Sequence, residues 1–162
     1  MQRTLTLQSA VTADAERVAQ ILIEVRSAFM PYARLAHSDD EVRAWVAGDL
    51  VPSGGTVVAR FGDTTVGVMT TERETSCSWI TQMAVDPQYV GRGIGSVLLQ
   101  HTLRACPPPI RPFTFQANTG ARRFYERHGF RAVRLSDGRA NEERCPDVLY
   151  ELVGERSNRL HA

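Results

Sequence analysis

Apolar and polar residues alternate in Thr4-Leu5-Thr6-Leu7, which predicts a half-buried strand. The period then lengthens. Val18, Ile21, Leu22 and Val25 recur at helical spacing behind Thr12, which reads as the N-cap of a first helix with Asp14 and Glu16 in its first turn. A second, shorter helix is predicted after Ser38, which has the spacing of a capping box with Glu41; Val42, Trp45 and Val46 form its buried stripe. The runs "TVVARF" and "TTVGVMTTE" flank Gly62-Asp63 and predict a hairpin, and "SWITQMAV" adds a third antiparallel strand.

A helical pattern follows a glycine-rich stretch at Gly91 and continues to about Ala105, where "CPPPIRP" ends it because proline lacks an amide hydrogen and clashes with the preceding turn. "FTFQ" reads as a short strand. "TGARRFYERHG" reads as a helix with Ala121, Phe124, Tyr125 and His128 on one face and Gly129 at its C-terminal cap. "FRAVRL" and "DVLYEL" close the pattern as two strands joined by the polar loop 136–146. No repeat or linker interrupts this order, so the expectation is a single α/β domain over residues 1–162, with a core at about 5–152 and a short polar C-terminal tail.

Composition narrows the function. A chain of 162 residues at 43% hydrophobic is large enough to bury a full core. No run approaches the roughly 18 apolar residues of a membrane span, and the first residues lack the apolar centre of a signal peptide, so a cytoplasmic protein without a membrane partner is expected. Cys77, Cys106 and Cys145 are odd in number and widely spaced, which argues against a disulfide framework or a cysteine zinc site. His101, His128 and His161 show no ligand spacing, so no metal is expected.

The net charge of +1 hides a segregation: residues 1–90 carry seven Arg against eleven acids, residues 91–134 carry eight Arg against Glu126 alone, and residues 135–162 carry four Arg against six acids. A basic middle third points to an anionic partner or to a solvated helix face. It lacks an aromatic platform or recognition motif, so nucleic acid is not the expected partner. All nineteen basic residues are arginine, and the absence of lysine excludes Walker, Schiff-base and lysine-base mechanisms.

Gly91, Gly93 and Gly95 alternate at the start of the third helix, around Arg92 and before Ser96. A bare backbone there lets phosphate oxygens approach unpaired helix amides; an ordinary tight turn is the other reading. The spacing is one residue short of a dinucleotide fingerprint, and a P-loop needs a lysine.

This segment resembles the GCN5-related N-acetyltransferases (GNAT), whose signature [QR]-x-x-G-x-[GA] aligns with Val90-Gly91-Arg92-Gly93-Ile94-Gly95. "FQANTGARRFYERHGF" resembles the family's second motif, and the element order matches over roughly Leu5 to Leu152. The resemblance implies the acyl-CoA N-acyltransferase fold: a central, mostly antiparallel mixed sheet of about seven strands flanked by four helices. It implies a transferase that moves the acetyl group of acetyl-coenzyme A to an amine of a small molecule or peptide, by direct attack in a ternary complex. A coenzyme-binding sensor or interaction module without activity is the alternative, and many relatives pair as homodimers.

By the same resemblance, main-chain groups of Met83, Ala84 and Val85 meet the pantetheine, amides from Val90 to Ser96 hold the pyrophosphate, and Asn118 and Phe124 adjoin the coenzyme. Tyr125 matches the tyrosine that protonates the departing thiolate. Arg122 and Arg123 are in reach of coenzyme phosphates or form a solvated face. Val90 departs from the family's Gln or Arg, leaving that position only its amide. Trp79 stands where the histone-modifying branch has a glutamate base; Glu72, Glu74, Glu142, Glu143 and His37 are the alternatives, beside a solvent relay. The acceptor is expected between "RSAFMPYARLAH" and "SDGRANEERCP", with Arg26 and Tyr32 on one side and Glu142 and Glu143 on the other.

Overall fold

In the computed structural model, which describes residues 4–154, the alternating segments become strands β1 (Leu5–Ser9), β2 (Thr56–Phe61), β3 (Thr64–Arg73), β4 (Ser78–Val85), β5 (Ile110–Phe115), β6 (Arg131–Ser136) and β7 (Asp147–Glu151). The segments of helical period become α1 (Ala15–Phe29), α2 (Asp39–Trp45), α3 (Ile94–Ala105) and α4 (Thr119–Arg127). His161 and the tail after Gly154 lie outside the described residues. The strands form one mixed sheet in the order β1-β2-β3-β4-β5-β7-β6, parallel only between β4 and β5. This is the seven-strand, four-helix fold implied by the resemblance. Among the described residues no helix is long and apolar enough to cross a membrane.

Two apolar layers sandwich the sheet. On one face Val18, Ala19 and Ile21 of α1, with Val46 and Leu50 beyond α2, pack on Val58, Val68 and Ala84. On the other, Ile94, Leu98 and Leu99 of α3 and Tyr125 of α4 pack on Met69, Ile80, Ile110, Val148 and Tyr150. Ile21 and Leu99 are fully buried, and each such side chain contributes about 1.5–3 kcal/mol of apolar transfer. All three cysteines are buried and unpaired.

Three local expectations are corrected. Thr12 does not cap α1; it sits in a 3-10 turn, Thr12–Asp14, and the buried carboxylate of Asp14 accepts the Val11 amide at 2.8 Å while pairing with Arg60 of β2. A carboxylate serves both donors, which a hydroxyl cannot do as well. Trp45 is not part of the buried stripe: it is 39% exposed, and the residues packed on the sheet are Val46 and Leu50 of the wider π-helical turn Val46–Leu50 that follows α2. The strand predicted as "FTFQ" starts earlier, at Ile110, because Ile110–Pro112 pair with β4.

That last pairing shapes the molecule. β4 and β5 are joined only at Ser78↔Ile110, Trp79↔Arg111 and Ile80↔Pro112; from Phe113 onward β5 pairs with β7 instead. A bulge lets Thr70 pair with Gln82 but Thr71 with Ile80, so Thr81 is an extra residue that bends β4 away. The second half of β4 therefore presents a backbone edge without a ladder partner on its β5 side, and the sheet splits into a cleft.

Candidate functional site

The glycine loop lies where β4 ends. Asp86 is buried and organises the exit: its Oδ1 accepts the Gln88 amide at 2.9 Å, its Oδ2 pairs with Arg17 of α1, and its own amide donates to Val66 at 2.8 Å. Arg17 also donates from Nε to the Thr65 carbonyl at 3.1 Å, so α1, β3 and the loop are tied through one guanidinium. Gly91 (φ 79°) and Gly93 (φ 78°) are left-handed, a conformation that costs other residues about 1–2 kcal/mol. Neither is crowded, since a Cβ there would meet nothing within 4 Å. Gly95 has another reason: a Cβ there would meet the Met83 methyl at 3.0 Å and the Phe124 ring at 3.3 Å. Two glycines turn the backbone; the third lets α3 approach β4 and α4.

The first bond of α3 runs from the Val97 amide to the Gly93 carbonyl at 3.1 Å, so the amides of Ile94, Gly95 and Ser96 have no helical acceptor. No acid lies in that first turn. Val90 is 49% exposed, and the Arg92 guanidinium sits 4.9 Å from the Tyr89 ring centre. The result is an open, positively polarised backbone surface suited to an anion.

From this loop the free edge of β4 leads into a cleft of about 1190 Å³ that has Thr81, Gln82 and Met83 on one wall and Phe115, Asn118 and Tyr125 on the other. Tyr125 is 5% exposed and packs edge-on against Phe124 and Phe130, with ring centres 5.4 and 5.3 Å away. Its hydroxyl points to Met83 Sδ at 3.6 Å, a weak acceptor. Burial raises its pKa, so the phenol carries its proton at neutral pH. Asn118 is a helix cap, its Oδ1 accepting the Ala121 amide at 3.1 Å, and it also lines the cleft. Phe124 holds Gly95 and His128 rather than the cleft wall.

At the far end the cleft opens between the loops 30–38 and 137–146. Arg26 lines it, but its guanidinium is engaged: Nη1 donates to the His37 carbonyl at 3.2 Å and Nη2 to Asp39 at 3.1 Å, which fixes the first loop. His37 Nε2 meets Glu142 Oε2 at 2.8 Å and joins the two loops across the mouth. That hydrogen bond raises the pKa of His37 above its ordinary value. Glu143 lines the cleft, whereas Tyr32 does not: it is 44% exposed and lies edge-on to Phe115 with ring centres 6.3 Å apart.

The structure thus gathers Met83, Asn118, Tyr125, Arg26, Glu142 and Glu143 in one cleft and leaves Tyr32 and Phe124 out of its lining. Arg122 is turned inward, donating to the Tyr150 hydroxyl at 3.1 Å and the Gln116 carbonyl at 3.3 Å, so it is not a free phosphate contact. Trp79 is stacked on Phe113 at 5.6 Å, and neither Glu72 nor Glu74 lines the cleft. Sequence reasoning missed Arg17 and Asp86, which tie the glycine loop to α1 and β3, and the place of Arg34 and Trp45 in the lining of the cleft. For Asp86 a local signal existed, since Asp-Pro followed by polar Gln is a turn-forming order; the surroundings of the others are set by segments distant in the chain.

Residues 19–130 match the model described as the acetyltransferase (GNAT) family. No curated protein matches the chain by sequence. Among solved structures the chain is similar to a GNAT-family acetyltransferase from Bacillus cereus (19% identity, TM-score 0.73, covering 94% of this chain and 99% of the other). It is also similar to Arabidopsis thaliana Naa50 in complex with the bisubstrate analogue CoA-Ac-MVNAL (20%, 0.70, 93% and 99%). A third is the PaiA N-acetyltransferase from Thermoplasma acidophilum in complex with coenzyme A (15%, 0.70, 93% and 99%).

Proposed function

Because the chain belongs to the GNAT acetyltransferase family, we propose that it transfers an acetyl group from acetyl-coenzyme A to a primary amine of a small molecule or peptide by direct attack in a ternary complex. The observation that carries this reading is the parting of β4 from β5, which runs a free backbone edge from the left-handed glycines at α3 to the buried phenol of Tyr125. The PaiA neighbour with coenzyme A and the Naa50 neighbour with a compound joining coenzyme and peptide support it.

In this reading the coenzyme is a substrate that the chain holds largely by backbone. Its pyrophosphate fits the amides of the loop 90–96, where a larger residue at 91 or 93 would fill the approach and strain the turn. Its pantetheine amides fit the open edge at Met83, Ala84 and Val85 as an added strand. An amide of that edge polarises the thioester carbonyl. As the amine nitrogen bonds to the carbonyl carbon and the carbon–sulfur bond breaks, the Tyr125 hydroxyl gives its proton to the leaving sulfur and recovers one from solvent. The ammonium first loses one proton to water, which frees its lone pair, and the nitrogen loses a second to water once the amide bond has formed. Trp79 offers no basic group, and we assign no dedicated base. Glu143 draws the cationic amine into the cleft.

Calorimetry with coenzyme A and a thiol-release assay over a panel of primary amines test the proposal. Binding with release is expected; binding without release from any amine would instead favour an inactive coenzyme-binding module, and no binding would sink both readings.

A further inference from the structure

The charged groups at the mouth of the cleft are unevenly matched. Of those lining it, Arg26 is held by Asp39, Glu41 by the Ser38 amide in a capping box, His37 and Glu142 by each other, and Asp147 by Ser136 and Asn141. Among the described residues this leaves Arg34, Arg134 and Glu143 without an ion-pair or hydrogen-bond partner. Arg134 rests near the Phe113 ring, 6.0 Å from its centre.

Arg34 also borders a second, shallow and open depression of about 470 Å³, which shares His37, Asn141 and Glu142 with the cleft and is lined in addition by the exposed Arg139 and Arg144. Arg139 pairs with the neighbouring Asp137 at 3.1 Å on the exposed surface. Arg144 donates one Nη1 hydrogen to the Arg139 carbonyl at 2.9 Å and makes no ion pair among the described residues. The one carboxylate lining this depression, Glu142, is already taken by His37. Of these three guanidiniums only Arg139 has a carboxylate of its own, so Arg34 and Arg144 are left facing an acid that His37 already engages. Guanidiniums match carboxylate and phosphate oxygens in paired geometry, and a ligand anion is the group that would complete them.

Resting on the acetyl-transfer reading above, we infer that the acceptor is an amine that carries an anion, a carboxylate or a phosphate, at the end away from its nitrogen. Its amine enters the cleft past Glu143, and its anion is held outside the His37–Glu142 contact by Arg34 and Arg144.

The test is steady-state kinetics with ω-amino carboxylates and ω-aminoalkyl phosphates of increasing chain length, each against the n-alkylamine of the same length. At the favoured length the anion-bearing acceptor should have a KM at least about tenfold below its plain partner, and that ratio should fall with added salt. In the Arg34→Gln, Arg144→Gln double variant, shown folded by its melting curve, the ratio should approach one. The better of the two series identifies the anion. Equal KM values for matched pairs at every length, or a preference that survives the double substitution, would overturn the inference. Calorimetry with coenzyme A and with the acceptors on coenzyme-saturated protein keeps the two failures apart. Absent coenzyme binding refutes the acetyl-transfer reading, whereas intact coenzyme binding without anion preference refutes only this one.

Discussion

At the α3 end of the cleft the groups that face a ligand are backbone amides and one buried phenol, set in place by Asp86, Gly95 and the core beneath them. At the α2 end they are long side chains on the loops 30–38 and 137–146, exposed and joined by ion pairs such as His37–Glu142. The two ends answer to different physics. Backbone fixed by buried neighbours is insensitive to salt and tolerates few substitutions, while exposed ion pairs are screened, individually weak, and free to vary with the ligand. One end is suited to a constant substrate and the other to a variable one.

The largest effect should come from breaking the backbone end. Gly93→Glu places a side chain at a φ of 78° and an acid beside the open amides, so coenzyme affinity measured by calorimetry should fall at least about a hundredfold. Retained affinity would reduce the loop to an ordinary turn. Tyr125→Phe should lower kcat by about 10²-fold with coenzyme affinity nearly unchanged. Its stability cost should be small, because the lost hydrogen bond ends on a thioether. An unchanged rate would remove the acid role.

Asp86→Ala tests whether the backbone end is held by its buried supports. It strands Arg17 and the Gln88 amide, and the melting curve should show a loss of about 1–3 kcal/mol. Coenzyme KM should rise several-fold while kcat stays close to normal; kcat falling alone would show that Asp86 does not set the loop.

The smallest effect belongs to the side-chain end. The pKa of His37 is raised by its hydrogen bond to Glu142, so the ion pair is complete below the ordinary histidine pKa near 6.5 and is lost as pH rises through the higher folded value. A proton NMR titration of His37 should therefore give a midpoint above 6.5 that returns toward it in Glu142→Gln, whereas identical midpoints would mean that the two loops are not joined in solution.

How much was legible beforehand follows the same division. The helices of α1 and α4 could be read because their contacts repeat every three or four residues, and the glycine loop could be read because a left-handed turn and a helix N-terminus are local events. The misreadings at Thr12 and Trp45 concern residues whose environment comes from afar: Arg60 lies 46 residues from Asp14, and the sheet that draws in Val46 leaves Trp45 outside. Arg26 and Arg122 read in sequence as ligand contacts, yet their guanidiniums are taken by partners 6 to 28 residues away.

The sequence by itself determined the order of elements, the bare backbone at Gly91 and Gly93, and the match to a family through two short motifs, because each depends on neighbours within about one helical turn. Tertiary structure alone decided that β7 would slip between β5 and β6, that β4 would part from β5 after Ile80, and which arginines would be left without a partner. Those outcomes depend on pairings between distant segments, whose registers are set by the packing of the whole sheet.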